Sequence, residues 1–418
     1  MAKVKNNAVS QNVRHVDDEH VSNKYYLLIS DRYMRAKYLA IILLVIFIAF
    51  TVFLFREDIT YANLMYLIRD FNTSSAAYNA DFDPIKYEEQ DKMNFGVYRG
   101  ELAVIGNRTL RMYNSNGQLS RSYEPGYADP ALASSDKYIL AYDIGGTSYS
   151  LYTSIAKVYD GVSDGAIENA DLNNSGSHIL VCRSDQTKYV VSAFDSSFKN
   201  TAKYYKNKYV TSAVIGNDGQ VIISSFDSAD GNAKCEIELY TDGAETPTSV
   251  YTKSGVFPIK CGIWDNGNYY VICTDRVLFF DSDGSLLNTS SSSLGYTSFA
   301  EGENKLVVSA ENDSVGASSK IIVFDTKGES IYDTTLKGNV SSLAVSDESV
   351  YALFDGKATI MPLNNGNILS YEIGDSGSVL VSTGTSAIVC SRDGAEGLVF
   401  GLTSGDNEVF TEAVTQNE

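Results

Sequence analysis

The chain has 418 residues and a formal net charge of −19, with 29 Tyr and 32 Gly but only 6 Pro. Residues 1–37 carry seven Lys or Arg and four acids, a net charge of +3, which leaves −22 on the remainder. A domain this acidic is not expected to bind nucleic acid or anionic lipid through its overall field. The frequent Tyr, Val, Ser and Thr favour β-structure.

The N-terminal tail, residues 1–37, is polar, and its composition predicts disorder up to about Lys24. Residues 38–55, YLAIILLVIFIAFTVFLF, contain no charge and would span about 27 Å as a helix. A buried core helix is the first alternative, but it would normally show a polar stripe. A cleaved signal peptide is the second, but a short charged region would precede it and small residues would follow it. The segment therefore predicts an uncleaved transmembrane signal anchor.

The distribution of basic residues predicts the orientation of this helix. Seven basic residues precede the span, and only Arg56 and Arg69 lie in the twenty residues after it. The positive-inside rule then puts the N-terminus in the cytoplasm and the C-terminal bulk outside.

Residues 56–92 connect the predicted span to the remainder of the chain. Leu64, Leu67, Ile68 and Phe71 follow one another at helical spacing, which predicts a short amphipathic helix. It would lie at the membrane interface or pack on the outer domain, and both possibilities stay open. The segment from residue 72 to residue 92 is polar and is predicted to be a stalk.

From residue 93 to residue 418 the chain repeats, with a mean period of about 41 residues. In each copy an apolar strand is followed by a turn with Asp or Asn, as in LAVIGN, YVICTD and AIVCSRD. The last strand positions of the copies are Ile105, Ala141, Cys182, Ser224, Cys273, Ser309, Leu353 and Cys390.

A second series interleaves with the first, in which an aromatic or apolar run closes on a Gly turn. Its glycines are Gly117, Gly161, Gly243, Gly284, Gly328 and Gly366, and residues 192–198 fill the same place without Gly. Such turns between apolar runs are typical of hairpins. Two hairpins per period make four strands, the composition of a β-propeller blade. Eight copies predict an all-β propeller of eight blades, with seven as the alternative. The first copy is short of a preceding strand, and the last copy is expected to complete it in the ring.

The blade pattern FDxxGxL, as at residues 280–286, resembles the WD40-like and quinoprotein-like propeller superfamilies. The order of tail, span, short helix and propeller is similar to an uncharacterised family of membrane-anchored propeller proteins of Gram-positive, clostridial-type bacteria. The resemblance implies a location at the cell envelope and no particular activity. The chain departs from these superfamilies because Trp264 is its one Trp. WD40 repeats carry Trp-Asp pairs and quinoprotein blades are locked by a Trp in each repeat, so quinone binding is not expected.

Several short motifs resemble parts of catalytic or metal-binding sites. His178 is the one His beyond the predicted span, is expected to be exposed at a strand start, and leaves no His-based zinc site or Ser-His-Asp triad. The GDSGS string at 374–378 resembles a protease nucleophile motif, but Ser376 has no base apart from His178, so a turn between blades is preferred. Residues 281–284 resemble the start of a calcium loop, but position twelve is Ser292 rather than Glu, which favours a plain hairpin turn.

The five cysteines are Cys182, Cys235, Cys261, Cys273 and Cys390. Three of them share the repeat column, so they would lie in different blades, too far apart for a disulfide. They are interpreted as small buried apolar residues. Pairing of Cys261 with Cys273 across a hairpin is the alternative.

One polar series suggests a binding face, because every copy has Asp or Asn just after its strand. The members of this predicted ring are Asn107, Asp143, Asp185, Asp227, Asp275, Asn312, Asp355 and Asp393, with basic neighbours at Arg183, Arg276 and Arg392. The simpler interpretation is that each side chain caps its own turn. The alternative is a polar ring that holds a cation, a sugar or a peptide.

The sequence thus predicts a binding or scaffolding propeller for protein, peptide or glycan, displayed outside the cell membrane and tethered by its N-terminal helix. An envelope enzyme that acts on carbohydrate with paired carboxylates is one alternative, and an accessory subunit of a membrane complex is another. No metal or cofactor and no nucleic-acid partner are expected.

Overall fold

The protein is represented by a computed structural model that describes residues 24–54 and 84–398, except residues 89, 99, 115, 154–155, 229–230, 242, 314–317, 355, 365–366, 374–378 and 384–385. The chain forms two compact units, Met1–Asn72 and Thr73–Glu418. The predicted helix at 60–71, the GDSGS string at 374–378 and Gly366 lie outside the described residues.

The N-terminal unit contains one described helix, α1 (Lys24–Leu54), which begins well before the predicted span. Its segment Ile29–Thr51 has a mean hydropathy of 2.0 and is long and apolar enough to cross a membrane. Near the start of this segment, Arg35 pairs with Asp31 one turn earlier, at 2.8 Å. The Thr51 hydroxyl donates to the Phe47 carbonyl oxygen at 2.9 Å, so this polar group is satisfied within the helix.

The C-terminal unit is a propeller of eight four-stranded antiparallel blades, as predicted. Blades 1 and 2 comprise β2 (Asn94–Tyr98), β3 (Glu101–Ile105), β4 (Leu110–Tyr113), β5 (Leu119–Tyr123), then β6 (Pro130–Ser134), β7 (Ile139–Asp143), β8 (Ser148–Tyr152) and β9 (Lys157–Val162). Blades 3 and 4 comprise β10 (Ile167–Leu172), β11 (His178–Arg183), β12 (Tyr189–Phe194), β13 (Asn200–Lys206), then β14 (Tyr209–Ile215), β15 (Val221–Asp227), β16 (Lys234–Tyr240) and β17 (Ser249–Ser254).

The remaining blades continue in the same way. Blades 5 and 6 comprise β18 (Pro258–Ile263), β19 (Tyr269–Cys273), β20 (Arg276–Phe280), β21 (Leu286–Ser291), then β22 (Tyr296–Gly302), β23 (Lys305–Glu311), β24 (Ser318–Phe324) and β25 (Ser330–Lys337). Blades 7 and 8 comprise β26 (Val340–Val345), β27 (Ser349–Phe354), β28 (Lys357–Pro362), β29 (Leu369–Glu372), then β30 (Val379–Ser382), β31 (Ala387–Cys390), β32 (Gly394–Leu398) and β1 (Ile85–Lys86).

The ring is closed by the first strand of the chain rather than by the last. β1 pairs with β32, with Ile85 opposite Ala395, and so supplies the fourth strand of blade 8. Blade 1 contains four strands of its own, β2 to β5, which corrects the expectation that the first copy needs a strand from the last. The propeller therefore begins before residue 93, within the segment assigned to a stalk.

The first strands of the blades lie around the central axis, where neighbouring first strands contact one another from β22 through β26, β30, β2, β6, β10 and β14 to β18. All eight positions of the repeat column fall in the second strands. These strands are buried except at some of their ends, and Tyr269–Cys273 is buried at every position, whereas the fourth strand Leu286–Ser291 of the same blade is almost wholly exposed. The apolar column thus marks the strand that neighbouring blades cover on both faces.

The core is distributed between the blades. The described residues form eight hydrophobic clusters, each of which joins two adjacent blades around the ring. The cluster between blades 5 and 6 contains the buried Trp264 together with Phe279 and Phe324. Side chains of Phe, Tyr and Ile therefore take the place of a repeated Trp in holding the blades together.

The Asp-Gly turns join the third and fourth strands, as the hairpin interpretation requires. The Asp281 carboxylate accepts hydrogen bonds from the backbone N–H of Asp283 (3.1 Å) and of Ser285 (2.7 Å). These bonds stabilise the turn itself, which favours a structural role over a calcium loop.

Gly161 is the exception in the predicted turn series, because it lies inside β9 rather than in a turn. Tyr149 stands opposite it on β8, and a Cβ atom at Gly161 would lie 2.2 Å from the Tyr149 ring. Gly is needed here for the close approach of that ring.

Candidate functional site

The members of the predicted ring lie on one face of the propeller. Successive strands of a blade are antiparallel, so the loops between second and third strands share a face with the connections between blades. We call this the upper face. The ring members on it are Asn107, Asp143, Asp185, Asp227, Asp275, Asn312 and Asp393, while Asp355 lies outside the described residues.

Most of the ring acids hydrogen-bond close to their own loops. The Asp143 carboxylate accepts from the backbone N–H of Asp129 at 2.7 Å, in the connection that enters the same blade. The Asp227 carboxylate accepts from the N–H of Ser228 at 2.8 Å. The Asp393 carboxylate accepts from the Ser391 hydroxyl at 3.0 Å. These contacts agree with the capping interpretation.

The two Asn members of the ring differ in their surroundings. The Asn312 side-chain amide donates to the Ser318 hydroxyl at 3.2 Å, across its own loop. The side-chain oxygen of Asn107 is buried and has no hydrogen-bond partner among the described residues. Asp185 is exposed at the tip of its loop.

The basic neighbours of the ring also bond locally. Arg276 forms a two-point contact with Asp275, at 3.0 and 2.6 Å, and this contact lowers the pKa of the Asp275 carboxyl. Arg183 pairs with Glu168 of β10 rather than with Asp185. Arg392 lies in the exposed turn after β31. Among the described residues, no group of three or more His, Cys, Asp or Glu is arranged to hold a metal ion.

An aromatic patch (Tyr209, Phe226 and Phe257) lies beside these loops on the upper face. The Tyr209 and Phe226 ring centroids are 5.2 Å apart, and those of Phe226 and Phe257 are 4.5 Å apart. Tyr209 is 44% exposed and Phe257 is 38% exposed, although each belongs to a residue type that usually buries its ring. The Lys188 ammonium lies 3.9 Å from the Tyr209 ring centroid, close enough for a cation–π contact.

Other apolar side chains are exposed elsewhere on the upper face. Ile144 follows β7, Leu294 precedes β22 and Val379 begins β30, and all three are exposed. The polar residues that follow the second strands do not reveal this apolar surface. The sequence signal for this surface lies in the large apolar residues that begin first strands or directly precede them, outside the hydrophobic core.

The central channel carries a second polar group on the innermost strands. Asp171 lies on β10, Lys260 on β18 and Glu301 on β22. Burial raises the pKa of Asp171 to about 7, and the charge of Glu301 adds to this, while the N–H of Ile215 and the charge of Lys260 oppose it. Desolvation by the protein atoms around Glu301 raises its pKa as well, opposed by the charge of Lys260, although its side chain is accessible to solvent.

His178 is buried rather than exposed at its strand start. Its ring stacks on Phe194 at 4.6 Å between centroids, and its Nδ1 lies 3.2 Å from the Gly176 carbonyl oxygen. Its Nε2 has no partner among the described residues. Burial lowers the pKa of His178 to about 4, so the ring is neutral at physiological pH. The prediction of an exposed residue was wrong because Phe194 lies directly opposite His178 on β12 and covers it.

All five cysteines are free and buried, as predicted. The alternative pair does not form: Cys261 stands opposite Val271, whereas Cys273 stands opposite Pro258. The Cys261 thiol instead lies 3.3 Å from the Ser212 hydroxyl of the neighbouring blade.

With this geometry established, comparisons with known proteins give the family. The model of a family described as "Family of unknown function (DUF5711)" matches residues 80–397. The chain belongs to this family. The match begins just before β1 and ends within β32, so it covers the propeller. No curated protein matches the chain.

Solved structures are similar in fold at low identity. BamB from Moraxella catarrhalis is 12% identical, with a TM-score of 0.51, over 75% of this chain and 99% of its own. The Cps50 (Swd1) propeller domain from Myceliophteria thermophila is 10% identical, with a TM-score of 0.47, over 70% of this chain and 99% of its own. The first likeness supports the propeller fold and nothing further.

Proposed function

We propose that this chain is a non-enzymatic binding or scaffolding propeller, held at the cell membrane by α1. The upper face of the propeller binds a protein or peptide partner. The observation that carries the proposal is the aromatic patch, in which Tyr209 and Phe257 are exposed on either side of the half-buried Phe226. Aromatic side chains exposed together in this way are typical of the anchor residues of protein interfaces.

The polar residues around the aromatic patch also suit a protein or peptide partner. Asp227 directly follows Phe226, and Lys188 lies over Tyr209. Carboxylate and guanidinium groups beside an apolar patch resemble the polar rim of an interface. In this proposal the ring residues contribute selectivity and the aromatic patch contributes most of the affinity.

The proposed location is the outer side of the membrane. Support comes from the distribution of basic residues: seven lie in residues 1–37, before the predicted span at 38–55, and two lie in the twenty residues after it. A cysteine accessibility assay in intact cells, with single cysteines on either side of the span, would test this orientation.

The partner experiment is a crosslinked pull-down of the full-length chain from its own membranes. The double variant Tyr209→Ser, Phe257→Ser removes the exposed rings and should lose a partner that the wild type captures. The matched control is Leu286→Ser, Ile331→Ser, because these apolar side chains are exposed to a similar degree on fourth strands. Equal capture by both double variants would contradict the proposal.

A separate variant tests the predicted ring. Replacing Asp185, Asp227 and Asp275 by Ala should weaken partner capture if the ring contributes to binding. If the triple variant loses stability but keeps the partner, the ring residues only cap their turns.

The second candidate function is a carbohydrate-active enzyme, favoured by the two channel carboxyls with raised pKa values. Asp171, with a pKa of about 7, is suited to donate a proton near neutral pH. The test is release of reducing sugar from purified cell-wall glycans by the full-length protein. Hydrolysis that Asp171→Asn abolishes would establish the enzyme and displace the binding proposal.

A further inference from the structure

The ring of first strands is widest between blades 5 and 6. There β18 and β22 stand further apart than any other two neighbouring first strands that the structure describes. Aromatic side chains fill the outer part of the seam between these blades. Its inner part opens to the central channel, because Lys260 and Glu301 are exposed there. We call this inner part, lined by Lys260, Tyr270, Phe299 and Glu301, the inner seam.

The side of the inner seam that belongs to blade 5 presents Lys260 and the Tyr270 ring. Lys260 and Gly262 lie two residues apart on β18, and their partners on β19, Ile272 and Tyr270, belong to the cluster between blades 5 and 6. Both positions therefore face blade 6. The Tyr270 ring lies across Gly262, where a Cβ atom would stand 2.3 Å from the phenolic oxygen. Gly262 thus allows a side chain of the second strand to reach the channel.

The side that belongs to blade 6 presents Phe299 and Glu301. Their partners on β23, Val308 and Leu306, belong to the same cluster, so both side chains face blade 5. The Lys260 ammonium crosses the seam and lies 5.6 Å from the centroid of the Phe299 ring. Because residues two apart on a strand are separated by about 7 Å, Glu301 stands about one such step from the ammonium group.

The polar groups of the inner seam are left without strong partners. The Lys260 ammonium lies on an aromatic ring rather than on a carboxylate. The Tyr270 hydroxyl is fully buried and makes no hydrogen bond of good geometry with any residue that the structure describes. Burial raises the pKa of Tyr270, and the charge of the nearby Glu301 carboxyl adds to this. A ligand that supplies partners to these groups would offset the cost of their desolvation.

The separation of opposite charges decides which class of ligand fits. A simple anion would meet Glu301 and, through its charge, Asp171, whereas a simple cation would meet Lys260. A neutral ligand would leave both ends without a counter-charge. A zwitterion satisfies both ends with charge-assisted hydrogen bonds of about 2.8 Å. A step of about 7 Å leaves room between them for an ammonium and a carboxylate joined through a single carbon atom.

We propose that the inner seam binds a free α-amino acid. The carboxylate of the ligand accepts hydrogen bonds from Lys260. Its ammonium group donates to the Glu301 carboxylate and to the Tyr270 hydroxyl oxygen, and its carbon atoms pack beside the Phe299 ring. The site faces the channel rather than the upper face, so it gives the propeller a small ligand that is independent of the protein partner.

The test is isothermal titration calorimetry of the full-length protein, in detergent micelles, with each of the common L-α-amino acids. We expect at least one of them to bind. Its methyl ester and its N-acetyl derivative should each bind about tenfold more weakly, because each has lost one of the two charges. γ-Aminobutyrate should also bind weakly, because its charges are too far apart for the inner seam.

Two variants assign the two ends of the ligand. Lys260→Met should weaken amino-acid binding about tenfold and leave binding of the methyl ester unchanged, because the ester has no carboxylate to lose. Glu301→Gln should likewise weaken amino-acid binding and leave binding of the N-acetyl derivative unchanged. Tyr270→Phe keeps the ring, removes the hydroxyl group and should weaken binding by a smaller factor.

The matched controls are Lys327→Met and Glu329→Gln, which remove the same charges in the exposed turn between β24 and β25 of blade 6. Both should bind the amino acid as the wild type does. The double variant Tyr209→Ser, Phe257→Ser should also bind it normally, since the aromatic patch belongs to the other proposed site. Circular dichroism confirms that each variant is folded.

Three outcomes would overturn the proposal. The first is that no amino acid binds, and the second is that the ester or the N-acetyl derivative binds the wild type as tightly as the amino acid. The third is that folded Lys260→Met and Glu301→Gln bind the amino acid unchanged. The analogues are measured on the wild type, so they decide the question even where a variant fails to fold.

Discussion

The Tyr87 hydroxyl donates to the Ser391 carbonyl oxygen at 2.7 Å, although 304 residues separate the two along the chain. The same hydroxyl lies 2.6 Å from the carbonyl oxygen of Gly394, and the N–H of Tyr87 donates to the carbonyl oxygen of Asp393 at 3.1 Å. Together with the pairing of β1 and β32, these bonds fasten the beginning of the propeller to its last blade.

We therefore predict that Tyr87→Phe lowers the free energy of unfolding by about 1 to 2 kcal/mol. The substitution keeps the buried ring and leaves carbonyl groups without their donor. Urea denaturation of the full-length protein measures the effect. The control is Tyr205→Phe, because Tyr205 is 53% exposed. A loss of equal size in both variants would show that Tyr87 has no special role in closure.

The closing strand illustrates what the sequence could not predict. The eight second strands were predictable from the sequence because neighbouring blades bury each of them on both faces, which requires a continuous apolar run. β1 has only two residues, Ile85 and Lys86, and two residues show no periodicity. Its place follows from the empty edge of β32, which no local pattern reveals.

Two further differences have the same origin in contacts between distant residues. Gly161 looked like a turn residue, but its role is set by the Tyr149 ring on the adjacent strand. His178 was expected to be exposed because it stands at a strand start, but Phe194 covers it from β12. The aromatic patch likewise brings together residues from different strands and blades, which no local sequence pattern predicts.

His178 should make stability depend on pH. Its pKa is about 4 in the folded protein and about 6.5 when unfolded, so the unfolded chain binds one more proton between these values. This group's contribution is complete above pH 6.5 and is lost as the pH falls to 4. The loss amounts to about 1 to 3 kcal/mol.

The variant His178→Phe tests this contribution, because it keeps the stacking on Phe194 and cannot be protonated. We expect it to be more stable than the wild type at pH 4.5, with the difference largest at acidic pH. Thermal unfolding at pH 4.5, 5.5, 6.5 and 8 measures the two proteins in parallel. A difference that does not change with pH would mean that His178 does not titrate in this range.

The five cysteines should be inert in the native protein. Burial raises the pKa of the Cys182 and Cys261 thiols to about 11, and all five sulfurs are shielded from solvent. A thiol reagent at pH 8 should therefore label no cysteine in the native state and all five in urea. Ser196→Cys, at an exposed turn, is the positive control and should add one reactive thiol. Labelling of a native cysteine would reveal local opening of its blade.

Asp171 should oppose His178 over the same range of pH. Because its folded pKa is about 7, well above the usual value for Asp, the folded protein holds a proton that the unfolded chain has released. This contribution to stability is complete below pH 4 and is lost as the pH rises to 7.

Asp171→Asn keeps an acceptor for the N–H of Ile215, which lies 3.0 Å from Asp171 Oδ2, and removes the titration. Its stability should therefore rise with pH between 4 and 6.5, driven by His178, more steeply than that of the wild type. His178→Phe should show the reverse slope, and the double variant should return to the flatter wild-type profile. If Asp171→Asn instead follows the wild-type profile at every pH, the carboxyl is ionised throughout this range, and the proton donor needed for the enzymatic alternative is lost with it.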